Sequence, residues 1–392
     1  MDKRVYLLMV VSFVVGMVEL IIGGILDLIA ADLNVSLGQA GYLITIFSLI
    51  FAIASPTLLI LTAGVERKRL TIISLFVFLI GNIITVFSPS YTVLFIGRVV
   101  SATSGALLII LCLTMAPSIV DPKYRGRAIG IVSMGVSASI VLGLPIGLIL
   151  GNLFGWRAPF VLITVLTVLS IVFLHFFMDR VAPKPSVPLG KQLATLKNRK
   201  ILFGQSTTFL FLAGHTVLYA YLTPFVKTTL GLEGSWISII YLLFGIAAVS
   251  GGGIGGTLAD MIGAKQTILI SVTVFGIAII AIPFTTFYLP LFLIVMIVWG
   301  AMNWAISPAM QSYLMNTSPE TSDVQQGLNN SALHLGIAVG SFIGGLVIEQ
   351  ASIEYNPFVG ALLVLFALAT ALISMYDEFH FFSKSKYKRR RA

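Results

Sequence analysis

The chain has 392 residues, of which 58% are hydrophobic and only 10% charged, against roughly a quarter charged in an ordinary soluble domain. Water cannot be the solvent for so much apolar surface, which leaves lipid. A single cysteine, Cys112, excludes an intramolecular disulfide framework and a cysteine-based metal site, and the net charge of +9 takes its meaning from where the basic residues fall.

Apolar runs long enough to cross a hydrocarbon core of ~30 Å are predicted at 5–29, 39–62, 70–87, 92–116, 128–151 and 156–178. Six more follow at 201–226, 236–258, 267–285, 289–314, 326–350 and 357–376. Hydrocarbon satisfies no open backbone group, so runs of this length without strict alternation are helices. The first run follows Lys3 and Arg4 as a signal peptide would. It is too long for one, lacks a small-x-small cleavage site and carries Glu19 in its middle, so it is expected to stay as a helix. The one long polar stretch between runs, 179–200, contains Pro183, Pro185 and Pro188. The expected fold is therefore an all-α integral membrane protein of twelve transmembrane helices in two pseudo-symmetric six-helix bundles. The bundles are 1–178 and 201–376, joined by the linker 179–200 and followed by a basic tail, 377–392.

An even number of spans puts both termini on one side. All Lys and Arg except Arg98, Arg157 and Lys227 then fall on the side of the termini. The positive-inside rule makes that side the cytoplasm, in a multi-pass protein of the inner (plasma) membrane. The tail, with Lys123, Arg125 and Arg127, then reads as an anchor beside anionic lipid rather than as a nucleic-acid site.

The halves repeat. The second span ends in Gly64-Val65-Glu66-Arg67-Lys68-Arg69 and the eighth in Asp260-Met261-Ile262-Gly263-Ala264-Lys265, each an acid followed by base in a short turn. The fifth span carries Gly135, Ser139, Gly143, Gly147 and Gly151 at every fourth position; the eleventh carries Ala332, Gly336, Gly340 and Gly344. Small-residue stripes let helix backbones approach closely in lipid. Internal repeats with a site at their interface are the plan of secondary transporters.

Charge inside a membrane costs at least ~2.5–3.5 kcal/mol and needs a partner, water or a function. Glu19, in the first span, is the expected titrating carboxylate, with Arg98 of the fourth span tuning it or pairing with it. Asp27 lies nearer the outer end of its helix, where hydration is the simpler reading. His215 and Tyr219 share a helix face, as do Asn330 and His334. Either histidine has the chemistry to carry a proton; His215 is assigned to coupling and His334, with Tyr219 and Asn330, to the solute. Trp299, Asn303, Ser307 and Gln311 follow at four-residue intervals in the tenth span. An aromatic face beside amide groups suits a flat heterocycle, with Tyr241 and Trp304 as further walls. The histidines have no metal-ligand spacing, and there is no phosphate-binding Gly-x-x-x-x-Gly-Lys loop for ATP. No His-Glu-x-x-His or paired aspartates mark an intramembrane enzyme. The chain is expected to work without metal or cofactor, as a monomer, on a small molecule and protons.

These residues resemble the major facilitator superfamily, in its twelve-helix drug/proton antiporter branch. Gly64 to Arg69 stands where that family has its loop motif after the second helix, shortened and with Glu for Asp; Gly255-Gly256-Thr257-Leu258-Ala259-Asp260 is nearer the pattern. Arg98 in Gly97-Arg98-Val99-Val100-Ser101 resembles the arginine motif of the fourth helix, and Gly143-Leu144-Pro145-Ile146-Gly147 the antiporter motif of the fifth. Gly155-Trp156-Arg157 closes that hairpin as in many members. The resemblance implies proton-coupled export by alternating access, with Glu66, Arg67, Asp260, Gly143, Pro145 and Gly147 in gating and conformational roles. Finer similarity is to bacterial purine base and nucleoside efflux pumps, carried by Val18-Glu19-Leu20-Ile21-Ile22-Gly23-Gly24, Glu66-Arg67-Lys68-Arg69-Leu70, Ala213-Gly214-His215 and Gln311-Ser312-Tyr313-Leu314. Asp27 departs from that group, which has proline there. A broader drug or sugar exporter on the same fold is the alternative, and a membrane sensor without transport is a remote one.

Overall fold

The computed structural model describes residues 2–183 and 187–389. The tail side chains beyond residue 376, and Lys184, lie outside the described residues. Among the described residues, twelve apolar helices are long enough to span a membrane. The first six are α1 (Lys3–Leu33), α2 (Leu37–Leu61), α3 (Arg67–Val86), α4 (Tyr91–Ser118), α5 (Pro122–Phe154) and α6 (Ala158–Phe177). The second six are α7 (Arg199–Tyr219), α8 (Ser235–Ile262), α9 (Ala264–Thr285), α10 (Leu289–Thr317), α11 (Pro319–Gln350) and α12 (Ile353–Tyr376). No strand occurs among the described residues. Large apolar side chains such as Phe76, Ile80, Phe173, Leu365 and Phe366 point outward and are about half exposed, as a lipid-facing belt requires.

Local chemistry sets the ends. Asn34 closes α1 in the left-handed conformation (φ 53°), and Ser36 starts α2 with a reciprocal cap, its hydroxyl accepting from the Gln39 amide and the Gln39 side chain accepting from Ser36 N–H. Gly155, at φ 88°, turns the chain from α5 into α6. Beside it the Trp156 indole and the Arg157 guanidinium both donate to Asp32 at 2.8 Å, and Arg157 also donates to the Ser88 carbonyl. The ends of α1, α3 and α5 are thereby fastened together.

One expected span is corrected. The apolar run 201–226 is not one helix: α7 stops at Tyr219 and a separate short helix, Leu222–Leu230, follows. Pro224 sits in the first turn of that helix, where a missing N–H costs nothing. The break frees Tyr221 to donate to the Ser341 carbonyl of α11.

The stripes pack equivalently. A Cβ on Gly135 of α5 would lie 2.2 Å from the Met9 carbonyl oxygen of α1, and one on Gly340 of α11 would lie 2.2 Å from the Ala213 carbonyl oxygen of α7. Thus α5 rests on α1 as α11 rests on α7, each inside its own half. Between the halves, α2 packs on α11 and α5 on α8. In α5 the stripe passes through a π-helical turn, Ser139–Gly143, directly ahead of Pro145. There the backbone of Ile140 and Val141 meets Gly245 of α8. Such turns are often found at functional sites.

Substitutions should separate the contact glycines from the idle ones. Gly340→Leu drives a side chain into backbone that cannot yield and should destabilise by about 1–3 kcal/mol. A Cβ added to Gly252 of α8 would meet nothing within 4 Å, so Gly252→Ala should be neutral or gain up to about 1 kcal/mol of helix propensity. Unfolding temperatures of the detergent-solubilised variants check both.

Candidate functional site: a cavity between the halves

Between the two halves lies a cavity of about 340 Å³, within the size range of small-molecule sites. Its first-half wall comes from α1, α2, α4 and α5. Among its lining residues there, Gly16, Leu20, Gly23, Ile44, Phe51, Ile109, Val136 and Ile140 are apolar or small, and only Glu19 and Ser48 carry polar side chains. The second-half wall, from α7, α8, α10 and α11, is rich in amide, hydroxyl and aromatic groups. It includes Thr208, His215, Tyr219, Phe244, Asn303, Trp304, Ser307, Gln311, Asn329, Asn330 and His334.

The expected Glu19–Arg98 relation is electrostatic, each charge acting on the other. His334 of α11 approaches Glu19, its Nδ1 at 3.4 Å from Glu19 Oε1, so this contact joins the halves, while the charge that acts on Glu19 is that of Arg98. The His334 ring also lies 4.1 Å from the Phe51 ring, again across the interface. Arg98 is buried behind α1, where it donates to the Val18 carbonyl at 2.8 Å and covers the Phe47 ring at 4.1 Å. Its Nε and Nη2 have no hydrogen-bond partner among the described residues.

The remaining expected residues divide. His215, Tyr219, Asn303, Asn330 and His334 all line the cavity, as do Ser307, Gln311 and Trp304. Trp299, expected as a wall, is fully buried and stands behind His215 at 5.0 Å between ring centroids. Tyr241 is also buried and serves the interface, donating to the Gly23 carbonyl at 3.3 Å. Of the gating residues, Glu66 is the N-cap of α3. It accepts from the N–H groups of Lys68, Arg69 and Val181 at 2.8 Å each, which ties the turn to the start of the linker. Burial opposes its charge, yet the Val181, Arg69 and Lys68 N–H groups and the Lys68 ammonium prevail and hold its carboxyl below the usual value. Arg67, beside it, is buried. Asp260 is not its structural equivalent: it is exposed in the last turn of α8, and the N-cap of α9 is Gly263.

Sequence reasoning missed the seal beyond the cavity. Lys227 Nζ meets Asp27 Oδ2 at 2.5 Å, and Ser36 donates to Glu349 at 2.6 Å. Where α1 departs from helical angles at Ile25, the carbonyls of the two preceding residues accept from Thr223 and Tyr241 of the other half. Ser341 donates to the Gly41 carbonyl. Counting along the helices, these contacts lie on the side of the cavity away from the termini. Glu19–His334, and the bond from Ser331 to the Ala52 carbonyl, lie at about its level. The signal for the seal was in the sequence: Lys227 and Asp27 were the unmatched charges at the far ends of their helices.

The pattern of the whole chain matches that of known proteins. The model of the Major Facilitator Superfamily matches residues 8–341. The chain belongs to this superfamily. It is 35% identical over 370 residues to the MFS-type transporter YbcL of Bacillus subtilis (strain 168), covering 94% of this chain and 95% of that protein. It is 27% identical over 365 residues to the inner membrane transport protein YdhP of Escherichia coli (strain K12), covering 93% of each. A probable sugar efflux transporter of Mannheimia succiniciproducens is 27% identical over 361 residues, covering 92% of this chain and 90% of that protein. This member of the Major Facilitator Superfamily is therefore a multi-pass membrane transporter.

In this superfamily member the Asp27–Lys227 contact should act as a latch on the far side. Both side chains are partly buried, so its loss falls between the surface and buried cases, at about 1–2 kcal/mol or roughly 5–30-fold in population. Asp27→Asn in a Cys112→Ser, Ser48→Cys background should speed labelling of residue 48 by an impermeant maleimide from the far side. The swap Asp27→Lys with Lys227→Asp should slow it again.

Proposed function

We propose that this transporter exports a small, flat, uncharged organic solute in exchange for protons, with purine bases and nucleosides the first candidates. The observation that carries the reading is the cavity's uneven lining: one apolar wall holding a single acid, and one wall that sets aromatic and amide groups among aliphatic ones such as Leu212, Met310 and Ile337. A flat heterocycle lays its face on the apolar side and turns its polar edge to the amides. A sugar, with hydroxyl groups all round, would leave several of them unpaired against the first-half wall, at a cost of about 1–3 kcal/mol each. An anion would meet Glu19. The relative named a sugar efflux transporter supports the direction of transport more than the solute.

Positive residues on the terminal side support cytoplasmic termini. With that orientation the sealed end faces outward and the conformation is the inward-facing one of an alternating-access cycle. The chain acts as a monomer in its lipid belt.

Coupling rests on Glu19. Left ionised and unpaired in a closing cavity, it would add at least ~2.5–3.5 kcal/mol to the barrier. The halves therefore exchange only when a proton, His334 or the N–H edge of a solute answers that charge. On this reading His334 shares in coupling, Arg98 supports it from behind α1, and His215 turns to the solute. One charge entering across 100 mV yields ~2.3 kcal/mol, enough for a roughly 50-fold gradient of a neutral solute at ~1.4 kcal/mol per decade. The π turn and Pro145 between Gly143 and Gly147 give α5 a bend against α8, where the halves move past each other.

Cells preloaded with radiolabelled hypoxanthine, adenine or inosine and expressing the protein should lose label several-fold faster than vector controls, and a protonophore should remove the difference. Glu19→Gln should reach the membrane at normal levels and lose protonophore-sensitive export. Loss of label at the control rate would reject purines as the solute; intact coupling in Glu19→Gln would remove this residue from the mechanism.

A further inference from the structure

His215 occupies a cage that four helices of the second half build around it. Its ring stacks on Tyr219 of the same helix at 4.8 Å and 24°. Phe244 of α8 lies nearly parallel at 6.0 Å, Phe275 of α9 edge-on at 5.9 Å, and Trp299 of α10 tilted at 5.0 Å. So enclosed, the imidazole has its faces occupied and offers its nitrogen edge. That edge meets Asn303, with His215 Nε2 and Asn303 Nδ2 at 3.4 Å. Three polar atoms of the cluster are buried without a hydrogen-bond partner among the described residues: His215 Nδ1, Asn303 Oδ1 and Trp299 Nε1. His215 is only 5% exposed, yet it lines the cavity together with Asn303, Tyr219 and Phe244. Buried polar groups are ordinarily paired, and an unpaired set calls for an explanation.

We propose that the His215–Asn303 pair is the specificity-determining subsite of the carrier, reading uncharged nitrogen heterocycles whose ring edge carries a donor and an acceptor side by side, as in a lactam or an amidine. The inference rests on the reading of the cavity as a site for flat heterocycles and names the edge by which they are chosen. Both partners are ambivalent. An amide side chain donates from nitrogen and accepts on oxygen, and a neutral imidazole does the same through its two nitrogens. The pair therefore answers donor–acceptor edges in either order, so lactam and amidine rings are both accepted. An anionic guest is refused, because the negative faces of the aromatic cage repel it and Glu19 lines the same cavity. Blocking the donor of the guest leaves a buried acceptor unpaired, the kind of mismatch that polar sites reject most strongly.

The test uses purified full-length protein and competition binding of two ligands that differ at that edge. Hypoxanthine has the lactam N–H; 1-methylhypoxanthine has lost it. The wild type should prefer hypoxanthine by about tenfold or more. Asn303→Leu and His215→Phe should each shrink the preference to within about twofold, and the ratio is unaffected by the fraction of protein that is active. Two variants are made so that the misfolding of one leaves the other to decide. An unchanged ratio in the variants, an equal loss of affinity for both ligands, or a wild type that binds both alike would overturn the subsite while leaving the heterocycle reading in place. A wild type that binds neither ligand would overturn that reading and the subsite with it.

Discussion

An ionised side chain in hydrocarbon must be answered by another group; Arg98 finds its answers within its own half, and other contacts reach across to the opposite one. Glu19 of α1 has His334 of α11 at 3.4 Å, and Asp27 has Lys227 beyond α7 at 2.5 Å. A pair inside one bundle would hold that bundle still. Pairs across the interface instead make the relative position of the bundles depend on charge, since moving the halves apart leaves each partner to find water or a proton. The cavity, its seal and its access all follow from where those pairs stand along the helices.

Motion of this kind needs bodies that stay rigid while their contact changes. Lipid removes the hydrophobic drive for one helix to join another, so rigidity has to come from close packing and hydrogen bonds. Backbone contact supplies it twice over, through Gly135 on Met9 and Gly340 on Ala213. Buried amides add to it in the second half, where Asn329 donates to Gln205 and Thr208 between α11 and α7. Across the interface, beside the approach of Ile140 and Val141 to Gly245 and the charged contacts, stand single hydroxyls reaching to carbonyls, such as Thr223 to Gly24 and Ser341 to Gly41. These bonds water can replace one at a time, so opening costs little backbone strain.

Much of this architecture was legible in the chain. The twelve spans follow from run length, and the stripes of α5 and α11 follow from small residues at every fourth position. Other features were not legible, for physical reasons that differ. The break after Tyr219 lies within an apolar run on both sides, with only Pro224 to hint at it. The Glu19–His334 contact joins residues far apart in sequence, and no local pattern carries such a pairing. Spacing alone puts Trp299 on the wall with Asn303, Ser307 and Gln311, but each four-residue step overshoots a 3.6-residue turn by about 40°. Over three steps that drift carries one end of the ladder away from the cavity, and the indole ends behind His215. The Asp27–Lys227 latch was legible as two stray charges and became a contact only through the fold.

The division of labour between the walls bears on coupling itself. Sites that lay wholly within one half would bind a ligand equally well in every arrangement of the halves, and a ligand with equal affinity for two states shifts neither. Here the acid stands on α1, while the aromatic and amide groups stand on α7, α8, α10 and α11. A solute large enough to touch both walls is bound best when the halves close around it, so its binding energy favours the occluded arrangement through which each transit must pass. On the proposed reading, a proton on Glu19 reaches the same arrangement by another route, since it removes the charge that closure would strand. On that reading two ligands so different in size act on one equilibrium, linked by a cavity whose acid and amides stand on opposite walls.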